Sequence, residues 1–203
     1  MKDKSDVPVF ELRAPTISET RKAIMKLKDG SEGPDGISST LLKIACTNFK
    51  FLKTVHFLFC VSIITNKTAD VWKISQIRAL YKGNHKNPNS VSNYRPISSV
   101  SVLSKALEDI VSSQLKDHFE KHAIITQNSF GYRNSHSTIS CLQAWQQTVH
   151  KIASKNYTAA SVFLDFKAGF DCLNPKILDQ KLEIYKVGLH TRAWIRNFFE
   201  FVE

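Results

Sequence analysis

The segment that constrains the fold most is Tyr157 to Phe166, YTAASVFLDF. It is nearly continuous in small and apolar residues, a composition that suits a strand in the middle of a sheet covered on both faces. One acid, Asp165, stands at its end. A carboxylate at the tip of a buried strand is costly to desolvate unless water, a cation side chain or a metal ion meets it. The turn that follows carries Ala168 and Gly169, then Phe170 and a second acid, Asp171. Small residues there let backbone N–H groups approach a phosphate. Two readings stay open on the motif alone. It is a site for Mg²⁺ and a phosphorylated ligand, or it is a strand-to-helix turn with Asp171 as helix cap and Asp165 in a surface ion pair.

The rest of the chain reads mainly as helix. Thr16 and Glu19 have capping-box spacing and open a helix to about Lys28. DGSEGPDGIS is a loop, and Ser38 or Ser39 can cap the next helix, Leu41 to Phe49. Phe51 to Ile64 reads as a strongly apolar, buried helix, Val71 to Tyr81 as a strand, and Gly83 to Ser90 as a hairpin or finger loop. Val102, Leu103, Ala106, Leu107, Ile110, Val111 and Leu115 recur at three and four, which predicts an amphipathic helix to about His122. A polar connector, 128–137, leads to a helix over 138–153 with Ile139, Leu142, Trp145, Val149 and Ile152 on one side. Lys176 to Lys186 and about Thr191 to Val202 are helical stretches, and the last has no cap, as expected of a truncation. Trp72, Trp145 and Trp194 lie on apolar faces and are expected in the core. The aromatic cluster of Phe198, Phe199 and Phe201 is expected to be left exposed.

Charge narrows the partners. Lys and Arg number 28 against 18 Asp and Glu, a formal charge of +10, which favours a polyanion such as nucleic acid. The longest apolar stretch, Val55 to Ile64, is too short for a bilayer span of about 20 residues, and no signal peptide opens the chain. An intracellular protein of nucleus or cytoplasm is expected, with no membrane partner. Cys46, Cys60, Cys141 and Cys172 are far apart, which suggests reduced, mostly buried thiols rather than zinc or disulfides. His118 and His122 have a metal-binding spacing, but no third ligand is evident in DHFEKH. Lys105 and Glu108, three apart, suit a solvated pair or a brace for the segment before them.

Several blocks, taken in order, resemble the reverse transcriptases of non-LTR (LINE-type) retrotransposons. SEGPDGIS (31–38) is similar to that family's G-P-D-G-I signature, and VWKISQIRALYKGN (71–84) to its W…I-P-I-x-K-K-G-D strand and loop. NYRPISSVSVLSKALEDIV (93–111) is close to its N-Y-R-P-I-S block, TQNSFGYRNSHST (126–138) to its Q-x-G-F-R block, and VFLDFKAGFD (162–171) to its motif A. KILDQKLEIYKVGLHTRAWIRNFF resembles the helical stretch after motif A. Five ordered blocks carry far more weight than one motif.

The resemblance implies an α+β, helix-rich but incomplete right-hand polymerase: a flexible lead-in (1–15), a fingers-like region (16–155) and a partial palm with motif A (156–203). It implies two-metal nucleotidyl transfer with Mg²⁺ or Mn²⁺, and an RNA template, a DNA primer and deoxynucleoside triphosphates as partners. Asp165 would be catalytic as a metal ligand, with the Phe166 carbonyl beside it. Phe170 would be the aromatic gate against a ribose 2′-OH. Lys82 and Arg95 would contact the triphosphate or template backbone, although Arg95 has the alternative of pairing with an acid of the 102–122 helix. Gln127, Gly131 and Arg133 would line the template path. The family's A-D-D block is absent from these residues, Asn84 replaces an acid, Ala79 a proline and Gly169 an alanine. The chain is therefore expected not to polymerise alone. A non-catalytic basic nucleic-acid-binding remnant is the alternative, and an unstable product of a decayed copy a third.

Overall fold

The computed structural model describes residues 7–83, 87–166, 169 and 172–200. Eight helices and one two-stranded sheet occur among them: α1 (Ile17–Lys26), α2 (Ser39–Ala45), α3 (Phe49–Thr65), α4 (Asp70–Lys73), β1 (Ser75–Tyr81), β2 (Tyr94–Val100), α5 (Val102–Lys121), α6 (Thr138–Ala153), α7 (Pro175–Ile184) and α8 (Leu189–Phe199). This is an α+β arrangement rich in helix. The chain divides into two compact units, Met1–Asp117 with Pro175–Glu203, and His118–Asn174.

The first unit holds the core. Local chemistry starts its helices cleanly: the Thr16 and Glu19 capping box opens α1, Ser38 caps α2, and Asn48 accepts from the N–H groups of Lys50 and Phe51 to open α3. Asn66, with φ of 58°, ends α3 in the left-handed region that asparagine tolerates. Leu52, Val55, Phe59 and Ile63 of α3 pack with Ile24, Leu42, Leu107, Val111 and Trp194. The α3 helix is apolar nearly all round but buries one face; Phe57 and Ile64 are about two-thirds exposed at 65% and 64%. The expectation of a buried helix is thus corrected to a half-buried one. Trp72 meets Phe59 edge-on at 5.9 Å, and Trp194 donates to Ser62 Oγ at 3.1 Å; both tryptophans are core residues as expected.

Two long-range ties organise this unit. The segment SEGPDGIS folds back on the β2–α5 junction. Ser99 Oγ donates to the Glu32 carbonyl at 2.6 Å, and a Cβ added at Gly33 would lie 2.6 Å from Ser101 Cα. Two separate motif blocks therefore touch. The second tie involves the end of the expected lead-in. Phe10 N–H donates to the Lys186 carbonyl, and Gly188 N–H to the Phe10 carbonyl, both at 2.8 Å. Glu11 accepts from both Thr191 N–H and Thr191 Oγ1, at 2.9 and 2.7 Å, at the start of α8, and Leu12 is buried. Residues 10–12 are built into the unit.

The second unit departs from expectation at 157–166. Residues 157–166 form no strand, and Val162, Phe163, Leu164 and Phe166 are each more than 80% exposed. A strand exists only when its N–H and C=O groups meet a neighbour's. The sole strands among the described residues are β1 and β2, which pair with each other. Composition can favour a middle strand but cannot supply the strands beside it. The α6 helix begins at Thr138, behind a Ser137–Ser140 capping box, yet has no buried residue. Trp145 is 43% exposed, contrary to the core placement expected of it. Cys46 is buried and Cys60 half-buried, whereas Cys141 and Cys172 are exposed, so only the first pair behaves as expected. Among the described residues no single helix is long and apolar enough to cross a membrane.

Candidate nucleotide and nucleic-acid site

The strand read over 71–81 is in fact a short helix, α4, followed by β1, which pairs antiparallel with β2. Pro96 sits within β2 because a two-stranded sheet leaves each strand an open edge where a missing N–H costs nothing. Across the ladder Tyr81 faces Tyr94, Leu80 faces Arg95, Ala79 faces Pro96 and Arg78 faces Ile97. The Tyr81 and Tyr94 rings lie 5.4 Å apart, and Tyr94 Oη donates to the Pro88 carbonyl at 3.0 Å. Lys82 N–H donates to the Asn93 carbonyl at 2.8 Å, and its Nζ to the Ser92 carbonyl at 2.6 Å.

Arg95 is exposed and forms no ion pair among the described residues. The alternative in which it pairs with an acid of α5 is not the arrangement adopted. Glu108 instead accepts from Ser104 Oγ at 2.8 Å and forms no ion pair with Lys105. The stretch 71–107 contains Lys73, Arg78, Lys82, Lys86, Arg95 and Lys105 and no acid at all. Lys82 and Arg95 thus share a hairpin whose charge is of one sign.

Gln127, Gly131 and Arg133 share one loop in the second unit. Gln127 and Gly131 are exposed. Arg133 is not: its side chain is 11% exposed. Nε and Nη2 donate to the two carboxylate oxygens of Glu120 at 2.7 and 2.6 Å, and Nη1 to the carbonyls of Thr126 and Ser129 at 2.9 and 3.0 Å. The bond to Arg133 holds the Glu120 carboxyl below its ordinary range, and the guanidinium is raised in turn. The resemblance implies a place for Arg133 along the template path; nothing in its spacing from Glu120 signals the fork-to-fork pair that ties this loop to the end of α5. The loop carries two non-glycine residues at positive φ, Tyr132 at 59° and Ser135 at 60°, conformations that need such outside support.

The Asp165 carboxylate is exposed, with no hydrogen-bond or ion-pair partner among the described residues. Phe166 beside it is 87% exposed. Phe170 and Asp171 lie outside the described residues. The His118 and His122 rings are 4.8 Å apart, and burial, His122 and Lys121 together depress His118. Among the described residues no three His, Cys, Asp or Glu side chains gather as a metal site would require.

Residues 84–203, more than half of the chain, match the sequence profile of the family described as reverse transcriptase (RNA-dependent DNA polymerase), and the chain belongs to that family. Its relatives are polymerases of non-LTR retrotransposons from Drosophila melanogaster. It is 29% identical over 174 residues to the probable RNA-directed DNA polymerase from transposon BS, covering 81% of this chain and 18% of that protein. It is 27% identical over 198 residues to the RNA-directed DNA polymerase from mobile element jockey, covering 93% and 20%. The probable RNA-directed DNA polymerase from transposon X-element is 31% identical over 101 residues, covering 49% and 11%. The chain thus spans a fifth or less of the length of these curated relatives.

Proposed function

We propose that this chain is the fingers and the amino-terminal part of the palm of a retrotransposon RNA-directed DNA polymerase. The observation that carries the reading is the family match running through VFLDF, where Asp165 stands exposed with no protein partner among the described residues. In that reading Asp165 supplies one ligand to Mg²⁺ or Mn²⁺, with the Phe166 carbonyl adjacent. Phe170 selects deoxyribose, Lys82 and Arg95 meet phosphate, and Gln127 and Gly131 border the template path. Arg133 serves the same path indirectly, by shaping the loop.

One carboxylate does not hold two divalent ions, which need several anionic ligands. The described residues therefore do not make a two-metal centre, and further carboxylates are required. The 203-residue chain is expected to incorporate no nucleotide into a primer on an RNA template. Template-dependent extension by this chain alone overturns that reading.

A second reading, a non-catalytic nucleic-acid-binding module, is favoured by the acid-free stretch around the hairpin. The two separate on magnesium. A Mg²⁺-dependent site for deoxynucleoside triphosphate that Asp165→Ala abolishes supports the polymerase. RNA binding that weakens steeply with salt and ignores both Mg²⁺ and Asp165→Ala supports the module.

A further inference from the structure

The register of the hairpin places a third cation beside the two that the sequence motifs single out. Residues directly opposite in an antiparallel pair project to the same face, as do alternate residues along each strand. Leu80 with Arg95, and Arg78 with Ile97, therefore share one face, and Lys82 follows one step past the paired ladder, opposite Asn93. Cations at Lys82, Arg95 and Arg78 alternate between the strands along that face. From Lys82 to Arg78 is four residues, about 13 Å at the rise of an extended strand. Arg78 is exposed and has no ion-pair partner among the described residues. No acid lies in 71–107, and none of the three cations has an ion-pair partner among the described residues.

We infer that Arg78 is a binding residue for the phosphodiester backbone of single-stranded RNA, continuing the row begun by Lys82 and Arg95. The inference rests on the polymerase-fingers reading of the hairpin. Its ligand follows from length. A row of three charges extending this far from the hairpin tip outreaches a single triphosphate held at Lys82 and Arg95, and suits a polymer of repeated phosphates. The guanidinium fork gives Arg78 donors for phosphate oxygens, and backbone contacts of this kind position a strand without reading its bases.

The test uses the whole 203-residue chain, a labelled oligouridylate and a salt titration. Arg78→Gln is expected to weaken binding several-fold at low salt. It should also lower the magnitude of the log K against log salt slope by about 0.7, the value of one phosphate contact on a single strand. Arg78→Lys should restore most of the slope, and a labelled oligoadenylate should respond alike. Binding of a deoxynucleoside triphosphate should be equal in wild type and Arg78→Gln. Lys22→Gln, an exposed cation of α1, gauges the generic effect of one lost charge and should change the slope less.

If Arg78→Gln matches wild type or Lys22→Gln while Arg95→Gln lowers the slope, this inference alone fails. A loss at Arg78 confined to the triphosphate overturns its assignment to RNA. Absence of salt-sensitive RNA binding in the wild type, with Arg95→Gln also silent, overturns the fingers reading and this inference with it.

Discussion

Arg133 shows how a motif residue acts at the scale of one side chain. Its guanidinium donates to four oxygens within the second unit, so its first effect is on the conformation of residues 126–133. Arg133→Ala is expected to speed amide exchange across that loop while leaving the first turns of α5 protected. Arg133→Lys should rescue little, because one ammonium cannot reproduce the fork; unchanged exchange in Arg133→Ala would refute the role. A second pair gives a pH signature. Glu19 is held at about 2, chiefly by its hydrogen bond from Arg13 and then by the Thr16 backbone. Its folded-state value is depressed, so the stability it contributes is present above its ordinary value near 4.5 and is lost as pH falls towards 2. The difference in melting temperature between wild type and Glu19→Gln should therefore shrink steadily over that window. A gap that is constant with pH would show the pair to be inert. Glu19 is partly exposed, so high salt should narrow the gap at neutral pH as well.

Elements differ in how far the sequence announces them. The start of α6 follows from Ser137 and the polar run before it, and α5 from its spacing of three and four; in both, the signal is local. The β2 strand gave no such signal, because YRPISSV combines a proline with serines and becomes a strand only through β1 opposite. The failed strand at 157–166 is the converse: strong local composition with no neighbouring strand among the described residues. The exposed half of α3 was hidden too, since an all-apolar helix carries no mark of which side is covered. Packing sets the cost of changes here. Phe59, fully buried against Trp72, should lose about 3–5 kcal/mol on replacement by Ala, the usual range for a large aromatic removed from a core. Gly33→Ala should cost about 1–3 kcal/mol, because its Cβ meets the Ser101 backbone rather than a movable side chain. Chemical denaturation measures both; a neutral Gly33→Ala would mean that the loop and the β2–α5 junction are not in contact.

At the scale of the whole molecule the unequal covering of the two units matters most. The first has a core of buried residues, whereas α6 has none, and Val162 to Leu164 project into solvent. Contiguous apolar surface of that kind promotes association. The chain is expected to bind an apolar dye in its folded state and to self-associate as concentration rises. Leu164→Lys should reduce both without shifting the unfolding of the first unit, and a monodisperse wild type that ignores the dye would count against this account. The candidate site was legible in the sequence as separate blocks. Their order indicated the family, and the roles expected of Lys82, Arg95 and Asp165 are those that the resemblance implies. The face shared by Arg78 and Arg95 could not be read from the blocks, because it depends on a register fixed between residues thirteen or more positions apart.

The strap of Phe10, Glu11 and Leu12 on the α7–α8 corner has a temporal consequence. Leu12 N–H donates to Thr191 Oγ1 across 179 positions of chain. A nascent polypeptide leaves the ribosome from its amino end, so residues 10–12 wait, unsatisfied, until synthesis has passed residue 191. Trp194 enters the same interior just as late. Folding of this body is thus expected to wait for α8 to emerge, and a ribosome stalled near residue 180 would display a partly open, chaperone-dependent intermediate.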